Sequence, residues 1–420
     1  MRVYLLALLI ASTALLNNGC WDQRPISELA IVLGLGIDLV DFAEAGKDSQ
    51  ILVTVELAHP LTEGTEGQPT LLSASGRNIQ EAVRNLQQSL NLRLHWSHLD
   101  TLLISNAAAR AGIDSYLNLF FHNHEMPEAI YIVICAGNAK DTLHGNLGLA
   151  NYVASGIREL LRNQHGFTNG YIHPVRITDY RAAFALPGSG LLLPVVAFLP
   201  TQLAQGSANH NPAAAEQVED DESNNNAMEA VHTNQEQSAN GVLVADSDFL
   251  YLQGMAIIDS NQRYIGQLAG YQNSGANLWL NRLNNFVVLV ECIITQQWLT
   301  IEINHWQRRL DWQIDPQNEQ IRLFVPANAQ GYLGGRPETS PYQDAYLLSQ
   351  LEYLVAQELQ RQLQAAWQQV INYQSDFLQL GHDLWRFHYT DWQRLAEHWS
   401  DILTTVKVEF QIDTQIQLGI

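Results

Sequence analysis

Apolar and polar positions fall into short blocks along this chain, and their period changes from block to block. The run "IVLGLGIDLV" from Ile31 to Val40 is apolar almost throughout, a strand pattern. Ile51, Val53, Val55 and Leu57 share one face of a second strand. "SGRNIQEAVRNLQQSLN" then switches to the helical period, with Ile79, Ala82, Val83, Leu86 and Leu90 in one stripe. Asn78 precedes that stripe and Glu81 follows three residues later, a capping-box arrangement. "HLDTLLIS" reads as a strand, "AARAGIDSYLNLFFHN" as a helix and "EAIYIVICAG" as a strand. Helices therefore alternate with strands through Leu143, which predicts layers of helix on sheet.

From Thr201 to Asn240 the chain is rich in Ala, Asn, Gln, Ser and acids, without aromatic residues or any period. Such a stretch buries too little apolar surface to order itself and predicts a disordered insert. Its Asp220-Asp221-Glu222 run reads as solvated charge, because nothing holds the carboxylates as a metal or acid–base site. Beyond it, "LQGMAIID" and "RYIGQLAG" predict a strand pair joined at Ser260-Asn261. "FVVLVECIIT", "LTIEINHWQRRLDWQI" and "QIRLFV" are strand patterns. "LEYLVAQELQRQLQAAWQQVIN" predicts a long helix with a stripe of Leu351, Leu354, Val355, Leu359, Leu363, Trp367 and Val370.

At the end, Val406, Val408, Phe410, Ile412 and Ile416 alternate with Lys407, Glu409, Gln411, Asp413 and Gln415. That is a strand with one dry and one wet face, as in an antiparallel sheet. Trp385, Phe387, Tyr389, Trp392 and Trp399 offer either helix-to-sheet packing or a carbohydrate- or membrane-contact surface. The spacing of seven between Trp392 and Trp399 puts both on one helix face, and predicts core for these two.

Composition adds the class. The chain has 420 residues, 46% hydrophobic and 15% charged, with ten Trp, enough for two or three folded domains. A net charge of −21 argues against nucleic acid and against a body lying flat on anionic lipid. The N-terminus has the form of a secretory signal. Arg2 supplies positive charge, and Val3 to Leu16 is an apolar run too short to span a bilayer comfortably. Cys20 follows at the end of that run, with Gly19 in the small position before it. Asn17 stands three places before the cysteine, where a lipoprotein signal usually has Leu. The pattern favours cleavage behind Gly19 and thioether lipidation of Cys20; the alternative is ordinary secretion with Cys20 a thiol. Cys135 and Cys292 lie in apolar runs and read as buried thiols, with a single disulfide between them as the alternative.

Motifs for chemistry are few. "GLGID" lacks the third glycine and the helix start of a dinucleotide loop, so Gly34 and Gly36 read as points of close approach. His95, His98, His122 and His124 could together hold zinc, but lack closed-site spacing with Cys, so no metal site is assigned. There is no Gly-x-Ser-x-Gly, His-Glu-x-x-His or Walker loop, and "LPGSGLLLP" reads as a turn.

Taken in order, "GCWDQRPISELAIVLGLGIDLV", "ASGRNIQEAVRNLQQSLNLRLHWSHLDTLLIS", "LQGMAIIDSNQRYIGQL" and "YQSDFLQLGHDLWRFHYTDWQRLAEHW" resemble the Ger(x)C family, the C-subunit lipoproteins of spore germinant receptors. The opening Gly19-Cys20-Trp21-Asp22 with Arg24 and Glu28, the strand Gly34 to Asp38, and the closing Asp376, Gly381, Trp392 and Trp399 carry the resemblance. It implies an α+β fold of three domains, with mixed or antiparallel sheets packed by helices. The corresponding parts are a signal peptide at 1–19, an N-terminal domain at 20–200 and an insert at 201–245. A small β-rich middle domain at 246–285 and a C-terminal α+β domain at 286–420 follow.

The resemblance further implies a non-enzymatic subunit with no cofactor and no catalytic residue, lipidated at Cys20. It would sit on the outer face of the spore inner membrane. There it would join two integral-membrane subunits, of A and B type, and trigger germination by nutrients. His122, Asn123, His124 and Met126 depart from the Arg-Asp and Arg pattern usual there, which marks a divergent member. The other reading is a solute-binding lipoprotein that hands a small ligand to a transporter, which requires two lobes and a polar pocket.

Overall fold

The computed structural model describes residues 25–40, 50–58, 69–123, 125–148, 150–167, 172–199, 249–283, 285–292, 296–315, 320–334 and 341–418, with Tyr4. The predicted insert at 201–240 lies outside the described residues. A 3-10 turn, Ile26–Glu28, leads into β1 (Leu29–Val40), β2 (Gln50–Ala58), β3 (Thr70–Gly76) and α1 (Ile79–Gln88). Next come β4 (Arg93–His95), β5 (Thr101–Ser105), α2 (Asn106–Ala111), α3 (Asp114–His122), β6 (Tyr131–Cys135), α4 (Ala139–Leu143), α5 (Val153–Phe167), α6 (Ile177–Ala183) and β7 (Leu191–Phe198). The later half has β8 (Leu250–Ile258), β9 (Tyr264–Leu268), α7 (Gly270–Trp279), β10 (Phe286–Glu291), β11 (Trp298–Arg308), β12 (Asp311–Asp315) and β13 (Gln320–Leu333). It closes with α8 (Pro341–Tyr373), α9 (Leu380–Phe387), α10 (Tyr389–Leu395), α11 (Trp399–Leu403) and β14 (Lys407–Leu418).

Among the described residues the strands form two sheets, so the fold is α+β. The first has nine strands in the order β3-β2-β1-β5-β6-β7-β8-β9, with β4 beside the start of β1. Its centre, β1, β5, β6 and β7, is parallel, while β2, β3, β8 and β9 add on antiparallel. The central strands are buried on both faces, as the apolar runs require. One face packs Leu102, Ile104 and Ile132 against Leu86, Ala108, Leu117 and Tyr180. The opposite face, through Leu103, Val133 and Ile257, continues into the core of the second sheet with Trp279, Ile301, Leu323 and Leu359.

The stretch 246–285, read from the sequence as a small middle domain, supplies strands to the first sheet. β8 and β9 extend the first sheet through β7, and α7 packs on α8. The long stretch between β7 and β8 hides the pairing in the sequence. The expected helix across Ala108 to Asn123 is also two helices. Gly112, at φ +131°, stops α2, and Ser105 caps its start.

The second sheet runs β10-β11-β13-β12, with β14 along the other side of β13. The closing strand alternates as predicted, but the expected antiparallel sheet is corrected: β14 pairs with β13 in parallel, from Arg322↔Lys407 to Leu333↔Leu418. Alternation reports which face is dry, not which way the partner runs. α8 makes the crossover from β13 to β14 and covers the dry face. Its predicted stripe is buried at Leu351, Val355, Leu359, Leu363, Trp367 and Val370. No described helix is long and apolar enough to cross a membrane.

Gly34 and Gly36 act as the sequence suggests. A Cβ on Gly34 would lie 2.6 Å from Ala154 Cβ, and one on Gly36 3.2 Å from Ala139 Cβ. The missing side chains let α5 and α4 rest directly on β1. Gly34→Val should lower unfolding stability by about 1–3 kcal/mol in denaturant titration. Gly137→Ala, with open space around its Cβ, should stay within about 0.5 kcal/mol of the parent.

Candidate functional site

Gly19 and Cys20, the residues assigned to processing and lipidation, lie outside the described residues, as do Trp21, Asp22 and Arg24. The described body takes up the chain at Pro25, five positions after Cys20. Glu28 is exposed, whereas Asp38, Asp376, Gly381, Trp392 and Trp399 belong to clusters built on buried carboxylates.

Asp38, near the end of β1, points out of an apolar strand at the start of α4. Its two oxygens accept the Ala139 and Lys140 main-chain N–H groups at 2.7 and 2.9 Å. Glu56, on β2, does the same for α5, accepting from Val153 at 2.6 Å and Ala154 at 2.9 Å. These N–H groups have no partner within their helices, and the helix dipole favours negative charge there. Burial works the other way. It raises Asp38 above the usual carboxylate range and pushes Glu56 up to about 7, against the lowering effect of the N–H groups.

Asp376 is the third and most connected. One oxygen accepts Leu380 N–H at 2.8 Å; the other accepts Gly381 N–H at 2.7 Å and Trp399 Nε1–H at 2.8 Å. It thereby caps α9 and ties down α11. Gly381 must be glycine, because a Cβ there would sit 2.8 Å from the Trp392 ring. Trp392 meets Trp399 edge-on at 5.6 Å between centroids, and Trp399 meets Trp312 at 6.2 Å. Both tryptophans are core, as predicted, but on separate short helices, α10 and α11, rather than one helix face. Burial pushes Asp376 up to about 6, again opposed by its three donors.

The "GSG" stretch does more than turn. Gly190 N–H donates to the Asp376 carbonyl at 3.1 Å, and Ser189 bridges to Asp376 as a strand would. A Cβ on Gly190 would lie 2.5 Å from Ser375 Oγ. The Asp376 cluster thus joins the start of β7 to the helices of the C-terminal part. Sequence reasoning found Asp376, Gly381, Trp392 and Trp399 as a pattern. It missed Glu56 and Gly190, whose only signals are an acid in an apolar strand and a glycine before one.

Elsewhere the chemistry is quiet. The His95 and His98 rings stand 5.8 Å apart and tilted, and His124 lies outside the described residues. Among the described residues no three His, Cys, Asp or Glu groups gather as metal ligands. Cys135 and Cys292 are buried thiols, and burial pushes Cys135 up to about 12, away from reactivity. A trough of about 900 Å³ crosses the solvent face of the second sheet, between Arg309 and Asp311 on one side and Glu409 and Asp413 on the other. Its floor includes Phe324 and Pro326.

A nine-stranded mixed sheet fused to a second sheet through capped helices defines the class, and comparison with known proteins gives the family. Residues 22–198 match the family described as spore germination protein N-terminal domain. Residues 253–418 match the one described as spore germination B3/GerAC like, C-terminal. The chain therefore belongs to the GerAC family of spore germination proteins.

Spore germination protein KC of Bacillus subtilis (strain 168) is 20% identical over 99% of this chain and 96% of its own length. Spore germination protein A3 of the same organism is 31% identical, over 35% of this chain and 39% of its own length. The crystal structure of the GerBC protein shares the fold, with a TM-score of 0.53 at 16% identity, covering 91% of this chain and 97% of that one.

Two predictions follow from the carboxylates. Asp376→Ala leaves three donors without their acceptor and should cost about 3 kcal/mol or more of unfolding free energy, measured in denaturant. Glu56 holds its proton more tightly in the folded state than the ordinary 4.5. Between pH 4.5 and about 7 the folded state therefore binds more protons than the unfolded one. This group's contribution to stability falls as pH rises through that window and is level above it. Glu56→Gln should remove that slope, worth about 3 kcal/mol across the window.

Proposed function

We propose that this chain is the lipid-anchored, non-enzymatic C subunit of a nutrient germinant receptor, held at the membrane through Cys20 beside two integral-membrane subunits. The observation that carries the reading is the family match, which starts at residue 22 and runs, with one gap, to residue 418. The family match thus begins two positions behind the cysteine that the apolar leader ends on. Tethering is the mechanism. A lipid on Cys20 confines the body to a thin layer, raises its concentration near membrane partners, and lets modest contacts suffice. The geometry agrees with an assembly role, because the buried carboxylates are committed to capping helices.

The solute-binding alternative calls for a polar cleft between two lobes. The trough described above lies instead across the open face of one sheet. Thermal shift of the soluble body against amino acids, sugars and nucleosides separates the two, with a clear shift favouring the alternative.

The direct test is mass spectrometry of the mature protein from membranes. The N-terminal residue should be Cys20 carrying a thioether-linked diacylglyceryl group. An unmodified Cys20, or cleavage at another bond, contradicts the tether.

A further inference from the structure

The aromatic group near the C-terminus divides in two. Trp392 and Trp399 are core, whereas Trp385 is 46% exposed, Phe387 65% and Tyr389 54%. The exposed three fall within five residues, where α9 ends and α10 begins, between the buried anchors Leu384 and Trp392. The Arg386 guanidinium stacks over the Phe387 ring at 5.1 Å. The result is a short exposed ridge along the helix junction, three large rings and one cation, with Trp385 and Phe387 leaving opposite sides of the last turn of α9. Exposed apolar patches of this kind mark contact surfaces, and Trp, Tyr and Arg side chains suit the headgroup layer of a bilayer.

Topology says where the helix that carries the ridge is rooted. β1, β5, β6 and β7 are parallel, so all four start at the same end of the sheet. Pro25 enters β1 at that end. Ser189 and Gly190, just before β7, hold Asp376 there, and Asp376 caps the helix that leads to the ridge. Three strand spacings separate β1 from β7, about 14 Å. Cys20 is five residues before Pro25, a reach of about 17 Å at most. An anchor on Cys20 therefore brings the bilayer to the end of the sheet where the ridge is rooted.

We infer that Trp385, Arg386, Phe387 and Tyr389 form a membrane-contact ridge that seats in the lipid interface and sets the orientation of the tethered body. This rests on the anchored reading above. A net charge of −21 opposes any broad contact with anionic lipid. The contact is accordingly small, led by aromatic rings and supplied with one cation. Each ring transfers apolar surface out of water while Trp and Tyr keep a polar edge at the headgroups.

The test uses the full chain reconstituted into phosphatidylcholine vesicles with brominated acyl chains, with and without phosphatidylglycerol. Bromine quenches tryptophans at the lipid interface. The parent should be quenched. Trp385→Phe should lose most of that quenching, because the fluorophore is gone while the ridge remains. Trp298→Phe removes a tryptophan that is 69% exposed on the second sheet, and should keep the quenching. Equal quenching in the two variants, or none in the parent, overturns the ridge. Cross-linking of the ridge to another protein, without lipid quenching, overturns it too. The mass of the mature N-terminus is read separately. A missing lipid on Cys20 sinks the anchor, while the quenching still decides the ridge.

Discussion

Three carboxylates taken out of water hold this molecule's helices to its sheets. Asp38, Glu56 and Asp376 each accept two main-chain N–H groups at a helix start, and Asp376 adds the Trp399 indole. Desolvation disfavours each charge; the N–H groups and the helix dipole offset that cost. The balance is close enough that Glu56 and Asp376 sit near 7 and 6. Moving any of these helices would strip a buried carboxylate of its partners. The arrangement therefore fixes geometry more than it adds stability.

The same logic joins the two halves. Asp376 caps α9 with its side chain and receives Gly190 with its carbonyl. The apolar core runs without a break from Leu103 and Val133 to Leu323 and Leu359. A push on one sheet is thus transmitted to the other through packed side chains rather than across a loose linker.

Periodicity made much of this legible. The stripes of α1 and α8, the buried central strands and the wet and dry faces of β14 are all plain in the residue order. The roles of Gly34 and Gly36 were readable too, because glycines inside an apolar strand have little other use. What periodicity cannot carry is partner and direction. Parallel pairing of β14, the entry of β8 and β9 into the first sheet and the break at Gly112 depend on crossovers and backbone angles. The capping role of Glu56 was hidden because its donors, Val153 and Ala154, lie nearly a hundred residues away. Even the capping box at α1 is altered: Asn78 caps Glu81 N–H, but Glu81 takes the main chain and guanidinium of Arg77 instead.

The central claim is that this body works by being held next to integral-membrane companions. Chemical cross-linking in intact membranes, followed by detergent extraction and identification of the cross-linked chains, addresses it most directly. The account predicts cross-links to two multi-spanning proteins in the membrane fraction. Recovery of the chain uncross-linked and freely soluble would contradict it.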